Sequence, residues 1–99
     1  MIRKAPSNKP GFVLVTFELP ATIWAERVSL AGEFNDWQPD NLFLVQHRDS
    51  SIWHITLELQ CEREYQFRYL VNGLDWHNDW HADRYAPNSQ GSDNSVVVT

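Results

Sequence analysis

The chain has 99 residues, 42% hydrophobic and 13% aromatic, with a net charge of −5 and a pI near 5.2. That is one domain with material for one core. Eight scattered Lys and Arg residues against thirteen Asp and Glu argue against a nucleic-acid partner, and no apolar run is long enough to cross a membrane.

Residues 1–10 carry two prolines and no periodicity, so they read as an extended lead-in to a single domain over 11–99. They are basic but lack the short apolar stretch of a signal peptide, which points to a cytoplasmic protein. From Gly11 the sequence Phe-Val-Leu-Val-Thr-Phe-Glu-Leu alternates, with Val13, Val15, Phe17 and Leu19 inward and Pro20 closing the strand. Ala21–Glu26 is too short for a stable helix and is expected as a loop in which Trp24 caps one end of the core. A second strand, Arg27–Phe34, turns Val28 and Leu30 inward, with Ser29 and Ala31 on the other face. Gly32 within it marks a bulge or a close backbone approach. Asn35-Asp36 makes a turn that leads into Trp37.

Asn41–Arg48 reads as a third strand whose register stays open: Leu42 and Leu44 inward, or Phe43 and Val45. Asp49-Ser50-Ser51 is turn chemistry. Trp53, Ile55, Leu57 and Leu59 then alternate with polar residues, which places Trp53 in the core. Gln60–Arg63 turns the chain into a strand over 64–71, with Phe67, Tyr69 and Val71 inward and Gln66, Arg68 and Leu70 on the opposite face. Asn72-Gly73 predicts a type I′ hairpin turn, because both residues accept positive φ. After Trp76 the sequence reads as a long loop to about Gly91, and Ser95–Thr99 as a final β-branched strand. About seven short antiparallel strands with no convincing helix make an all-β, immunoglobulin-like sandwich.

A glycosidase needs two carboxyls across a cleft. Here Glu18, Glu58 and Glu64 sit on solvent faces of strands, and Asp36, Asp40, Asp49 and Asp75 sit in turns. His77 and His81 have ligand-like spacing, but no third ligand follows from it, so no metal or other cofactor is expected. Cys61, the one cysteine, reads as an inert thiol at a turn. No catalytic constellation emerges. Five tryptophans are more than a core of this size readily hides. Trp37 follows a turn, Trp76 follows the hairpin and Trp80 sits in the long loop, and turns at one end of a sandwich cluster in space. They either form one exposed aromatic platform, suited to the CH face of a pyranose, or Trp76 and Trp80 fold over the core as a lid.

Three stretches carry a family likeness: Val28-Ser-Leu-Ala-Gly-Glu-Phe-Asn-Asp-Trp37, Tyr65-Gln-Phe-Arg-Tyr-Leu-Val-Asn-Gly-Leu-Asp-Trp76 and Gly91-Ser-Asp-Asn-Ser-Val-Val-Val98. In this order they resemble carbohydrate-binding module family 48. These are the glycogen- and starch-binding modules at the N-termini of isoamylases and glycogen-branching enzymes, and the glycogen-binding domain of the AMP-activated protein kinase β subunit. The chain is also similar to stand-alone bacterial early-set proteins without a catalytic barrel. The resemblance implies an early-set immunoglobulin-like fold and a non-catalytic module for α-glucans such as glycogen, starch and maltooligosaccharides. Trp37 and Trp76 would stack on glucose rings, with Leu74-Asp75 reading one residue longer than the family's usual spacing. Arg68 stands at the place of a sugar-bonding lysine, and Gln90, Ser92 and Asn94 at the places of a leucine plug, a threonine and an asparagine. Gln90 departs in kind, since an amide is not an apolar plug. The segment Asn78–Tyr85 fits the stand-alone subgroup: Trp80 could extend the stacking surface, or Asp83 and Arg84 could pin the loop. The expected partner is an α-glucan, with a glucan-metabolising enzyme as a second candidate; one alternative is an accessory domain acting with a separate glycoside hydrolase or branching enzyme. The other alternative is a protein-interaction or regulatory module that keeps the fold without the sugar.

Overall fold

The computed structural model describes residues 1–99. Nine strands are joined by turns and loops: β1 (Ile2–Pro6), β2 (Phe12–Leu19), β3 (Val28–Gly32), β4 (Val45–Gln46), β5 (Trp53–Gln60), β6 (Glu64–Val71), β7 (Asp75–His77), β8 (Arg84–Pro87) and β9 (Asp93–Val98). A 3₁₀ turn, Glu33–Asn35, follows β3. One antiparallel sheet runs β1-β2-β5-β4 and the other β3-β6-β9-β8. Along one edge of β6, β9 pairs with Glu64–Phe67 and β7 with Tyr69–Val71. The architecture is the expected all-β, immunoglobulin-like sandwich. No helix is long and apolar enough to cross a membrane.

The core forms where the alternating faces meet. Val15, Phe17 and Leu19 of β2 and Trp53 and Leu59 of β5 pack against Val28, Leu30, Phe67, Tyr69, Val71 and Val97 of the other sheet. Each large side chain buried there contributes about 1.5–3 kcal/mol. Phe17 and Phe67 meet edge to face with centroids 4.9 Å apart. The buried Trp53 still finds a partner for its indole N–H, the carbonyl of Ile23 at 3.3 Å. Gly32 is the close approach its position suggested. A Cβ there would lie 2.6 Å from the Gln66 carbonyl oxygen and 2.8 Å from the Phe67 Cβ.

Four local expectations change. Residues 2–6 are extended but are part of the sheet, pairing with β2 from Ile2↔Phe17 to Pro6↔Val13. An edge strand bonds on one side only, so it tolerates proline and needs no alternation. Residues 41–48 are not one strand. Leu30 N–H bonds the Leu42 carbonyl and Leu44 N–H the Val28 carbonyl, which lays 42–44 beside β3 before Val45–Gln46 crosses to β5. Leu44 is buried and Leu42 packs on the core, while Phe43 and Val45 are exposed, and that settles the register.

Trp24 does not cap the core. It is 94% exposed, and Ile23 and Ala25 pack inward instead. In a short loop, neighbouring side chains point opposite ways, and Trp53 already fills this end of the core. Finally, the segment after Trp76 is ordered by β8 and by a buried carboxylate. Asp79 accepts bonds from the Tyr69 hydroxyl at 2.7 Å, the Met1 ammonium at 2.7 Å and the His81 N–H at 2.8 Å. Its own N–H donates to Ser95 Oγ at 2.8 Å. Burial, and then the Asp79 charge and hydrogen bond, raise the Tyr69 pKa well above its ordinary value, so the phenol stays a donor.

Candidate functional site

The outer face of the β3-β6-β9-β8 sheet gathers the polar residues that the core rejects. Residues directly opposed in antiparallel strands point to the same side. Arg68 on β6 lies opposite Ala31 on β3, whose small side chain leaves the guanidinium room. Asn94 on β9 lies opposite Ala86 and sends its amide to Gln66 Oε1 at 3.0 Å. Trp76 on β7 lies opposite Leu70, on the Arg68 face.

Trp76 reaches that face through one residue of hairpin length. Asn72 and Gly73 have φ 54° and 69°, as a type I′ turn requires, and Leu74 N–H closes it on the Val71 carbonyl. The paired residues are nevertheless Val71 and Asp75, with Leu74 left over. Had Leu74 paired with Val71, Trp76 would face Tyr69 and point into the core, because a slip of one residue exchanges the faces. The residue that made the Leu74-Asp75 spacing look long is therefore what keeps the indole outside.

Trp37 arrives by a different device. After the 3₁₀ turn, Asp36 and Trp37 both take left-handed backbone, φ 56° and 59°, and Trp37 N–H bonds the Gly32 carbonyl at 2.9 Å. Two consecutive non-glycine residues in this region are costly and need outside support. Asn35 supplies it. Its Oδ1 accepts the Gly32 N–H at 2.9 Å. Its Nδ2 donates to the carbonyls of Leu30 and Gln38 and to Asn41 Oδ1, at 3.2, 3.0 and 2.9 Å. The Phe-Asn-Asp-Trp stretch is thus a clamp at its asparagine and a presented ring at its tryptophan.

Trp37, Arg68, Trp76, Asn88, Ser89, Gln90 and Asn94 line one groove of about 300 Å³. The indoles are partly open to solvent, Trp37 by 37% and Trp76 by 42%. Arg68 Nε is buried without a hydrogen-bond partner. No carboxylate lines the groove. Of the residues singled out from sequence, Trp37, Arg68, Trp76, Gln90 and Asn94 meet here. Ser92 does not line the groove. Its hydroxyl accepts from Asn88 Nδ2 at 2.9 Å and its N–H donates to Asn88 Oδ1 at 3.2 Å. Asn88 was missed, although it organises the rim: it also accepts the Gln90 N–H at 2.9 Å and donates to Asn94 Oδ1 at 3.2 Å. Its only signal was the ordinary turn chemistry of Pro87-Asn88-Ser89.

A scan against protein-family models decides what this sandwich is. The model for carbohydrate-binding module 48, the isoamylase N-terminal domain, matches residues 15–86. The chain belongs to carbohydrate-binding module family 48. No curated protein sequence matches it. The matched span holds both tryptophan-bearing turns and Arg68, while the 88–94 rim lies beyond its end.

Trp80 stands apart in the module. It is 63% exposed and lines a separate hollow with Arg3, Glu18, Leu19 and His81, so it does not extend the Trp37–Trp76 surface. The bonds of Asp79 turn its neighbour outward on that side. The rest of the 78–85 segment acts as a pin. Asp83 accepts from Lys4 Nζ and the Val98 N–H, each at 2.7 Å, and Arg84 pairs with Glu64. Trp76 and Trp80 form no common lid over the core.

Proposed function

We propose that the module binds α-glucan chains along this groove, with glucose rings stacked on Trp37 and Trp76. The hydroxyls would bond to Arg68, Gln90, Asn88 and Asn94. The observation that carries this is the joining of two half-open indoles from separate turns with a guanidinium and several amides around one shallow groove. An indole face suits the CH surface of a pyranose, and planar donors beside it suit equatorial hydroxyls. A groove lined without any carboxylate also supports binding rather than glycoside hydrolysis, which needs two. Open, partly hydrated sites of this kind bind at about −4 to −8 kcal/mol, millimolar to micromolar. That strength suits a module that holds a partner enzyme to a polymer.

The test is titration with maltoheptaose and β-cyclodextrin, followed by tryptophan fluorescence, with cellohexaose as the β-linked control. Trp37→Ala and Trp76→Ala should each abolish the response. No response at millimolar α-glucan, or an unchanged response in Trp37→Ala, refutes it. A sugar-free interaction module has Gln90 in its favour, while Asn78, Asp79, Asp83 and Arg84 of the 78–85 segment are engaged in bonds within the fold.

A further inference from the structure

Seven of the eight Lys and Arg residues are exposed, and three of them, Arg3, Lys4 and Arg84, pair with carboxylates. The others keep their charges in solvent, whereas Arg68 is withdrawn from it without a carboxylate partner. It is half-buried, it makes no hydrogen bond or ion pair within the chain, and its Nε is fully covered without an acceptor. A donor shut away from water with nothing to bond loses its hydration without return, and the loss is larger on a cation. The groove around it offers no compensation. The amide of Asn94 is engaged with Gln66 and that of Asn88 with Ser92 and Asn94, and no carboxylate faces the guanidinium. Gln90 adds a free amide donor, because its side chain makes no bond while its backbone N–H is held by Asn88.

From this pairing of an unmatched half-buried guanidinium with a free amide, we propose that the groove selects α-glucan carrying a phosphate monoester. This rests on the α-glucan reading above and specifies the ligand of that same site. A glucose hydroxyl would give Arg68 an acceptor but leave its charge uncompensated. A phosphate monoester, nearly dianionic at neutral pH with three acceptor oxygens, can take two parallel N–H bonds from the two terminal Nη groups, neutralise the charge that the covered Nε shares, and keep an oxygen for Gln90. The overall charge of −5 does not prevent this. The groove lining itself carries one cation and no anion, and the exposed Asp36, Asp75 and Asp93 that adjoin lining residues in the chain are open to screening by salt.

The experiment is calorimetric titration of the whole chain with maltoheptaose and with maltoheptaose bearing one phosphate at a glucose O6, at low and high salt, for wild type, Arg68→Gln and Arg68→Lys. Wild type should bind the phosphorylated sugar at least tenfold more tightly, a difference of about 1.4 kcal/mol, and the advantage should shrink with salt. Arg68→Gln should weaken binding of both sugars and bring their affinities to within about twofold of each other, so that the ratio between them, not the neutral-sugar affinity, is the readout. Arg68→Lys should keep the salt-sensitive part of it. Equal binding of the two sugars by wild type overturns the proposal and leaves the α-glucan assignment standing. Binding of neither overturns both. A preference that persists in Arg68→Gln removes Arg68 as its source. The wild-type comparison is decisive even where a variant folds poorly.

Discussion

Asn35 is the residue on which the presentation of Trp37 depends, and truncating it separates architecture from contact. Asn35→Ala deletes four hydrogen bonds, to the Gly32 N–H, the Leu30 and Gln38 carbonyls and Asn41. Each contributes about 0.5–1.5 kcal/mol net, with the two half-buried ones at the upper end. They hold Asp36 and Trp37 at φ 56° and 59°, a conformation costing about 1 kcal/mol or more per residue. Once the clamp is gone the turn relaxes and recovers part of that strain. The net loss should therefore be about 2–3 kcal/mol, or about 10–20 °C in Tm for a domain of this size. Denaturant titration reads the first number. The second readout is binding of maltoheptaose at 25 °C, where the variant remains folded. Because the indole is no longer held on the groove, affinity should fall at least tenfold although Asn35 itself does not line the groove. A variant that loses less than about 0.5 kcal/mol of stability and binds as wild type would falsify the clamp.

Trp24→Ala should change stability by no more than about 0.5 kcal/mol, since the side chain is 94% exposed, and denaturant midpoints measure this. A larger loss would mean that the indole packs on the core after all. Gly32→Ala should destabilise by about 1–3 kcal/mol, because the new Cβ meets the Gln66 carbonyl at 2.6 Å and backbone must move; an unchanged midpoint would contradict the close approach. The raised pKa of Tyr69 makes one contribution to stability depend on pH. Below the unfolded phenol value of about 10 that contribution is fully present, and it declines as pH rises through the folded value, because the unfolded chain releases its proton first. Unfolding free energy measured from pH 8 to 11 should stay level and then fall, and Tyr69→Phe should flatten the fall. A fall of the same steepness in that variant would assign it elsewhere.

Periodicity carried most of the fold. The alternation in 12–19, 53–59 and 64–71 appears unchanged as the facing sides of the core, since burial acts directly on side-chain spacing. The paths of 41–46 and of the N-terminal segment were not legible. A strand that changes sheets and an edge strand are both set by partners far along the chain, and neither leaves a local period. The site was legible at Trp37, Arg68, Trp76, Gln90 and Asn94, because the motifs around them occur in order. It was opaque at Asn88, whose hydrogen bonds resemble those of any turn, and misleading at Trp80, which is separated from its neighbours by the burial of Asp79.

The sequence by itself determined an all-β sandwich, the inward faces of its long strands and the turn at Asn72-Gly73, because each of these depends on residues adjacent in the chain. Only the tertiary structure decided which tryptophans share a surface. Trp53 is in the core, Trp24 and Trp80 point elsewhere, and Trp37 and Trp76 meet through a strained turn and a hairpin with one residue in excess. Those outcomes turn on register and backbone strain, which depend on strands that the local sequence does not name.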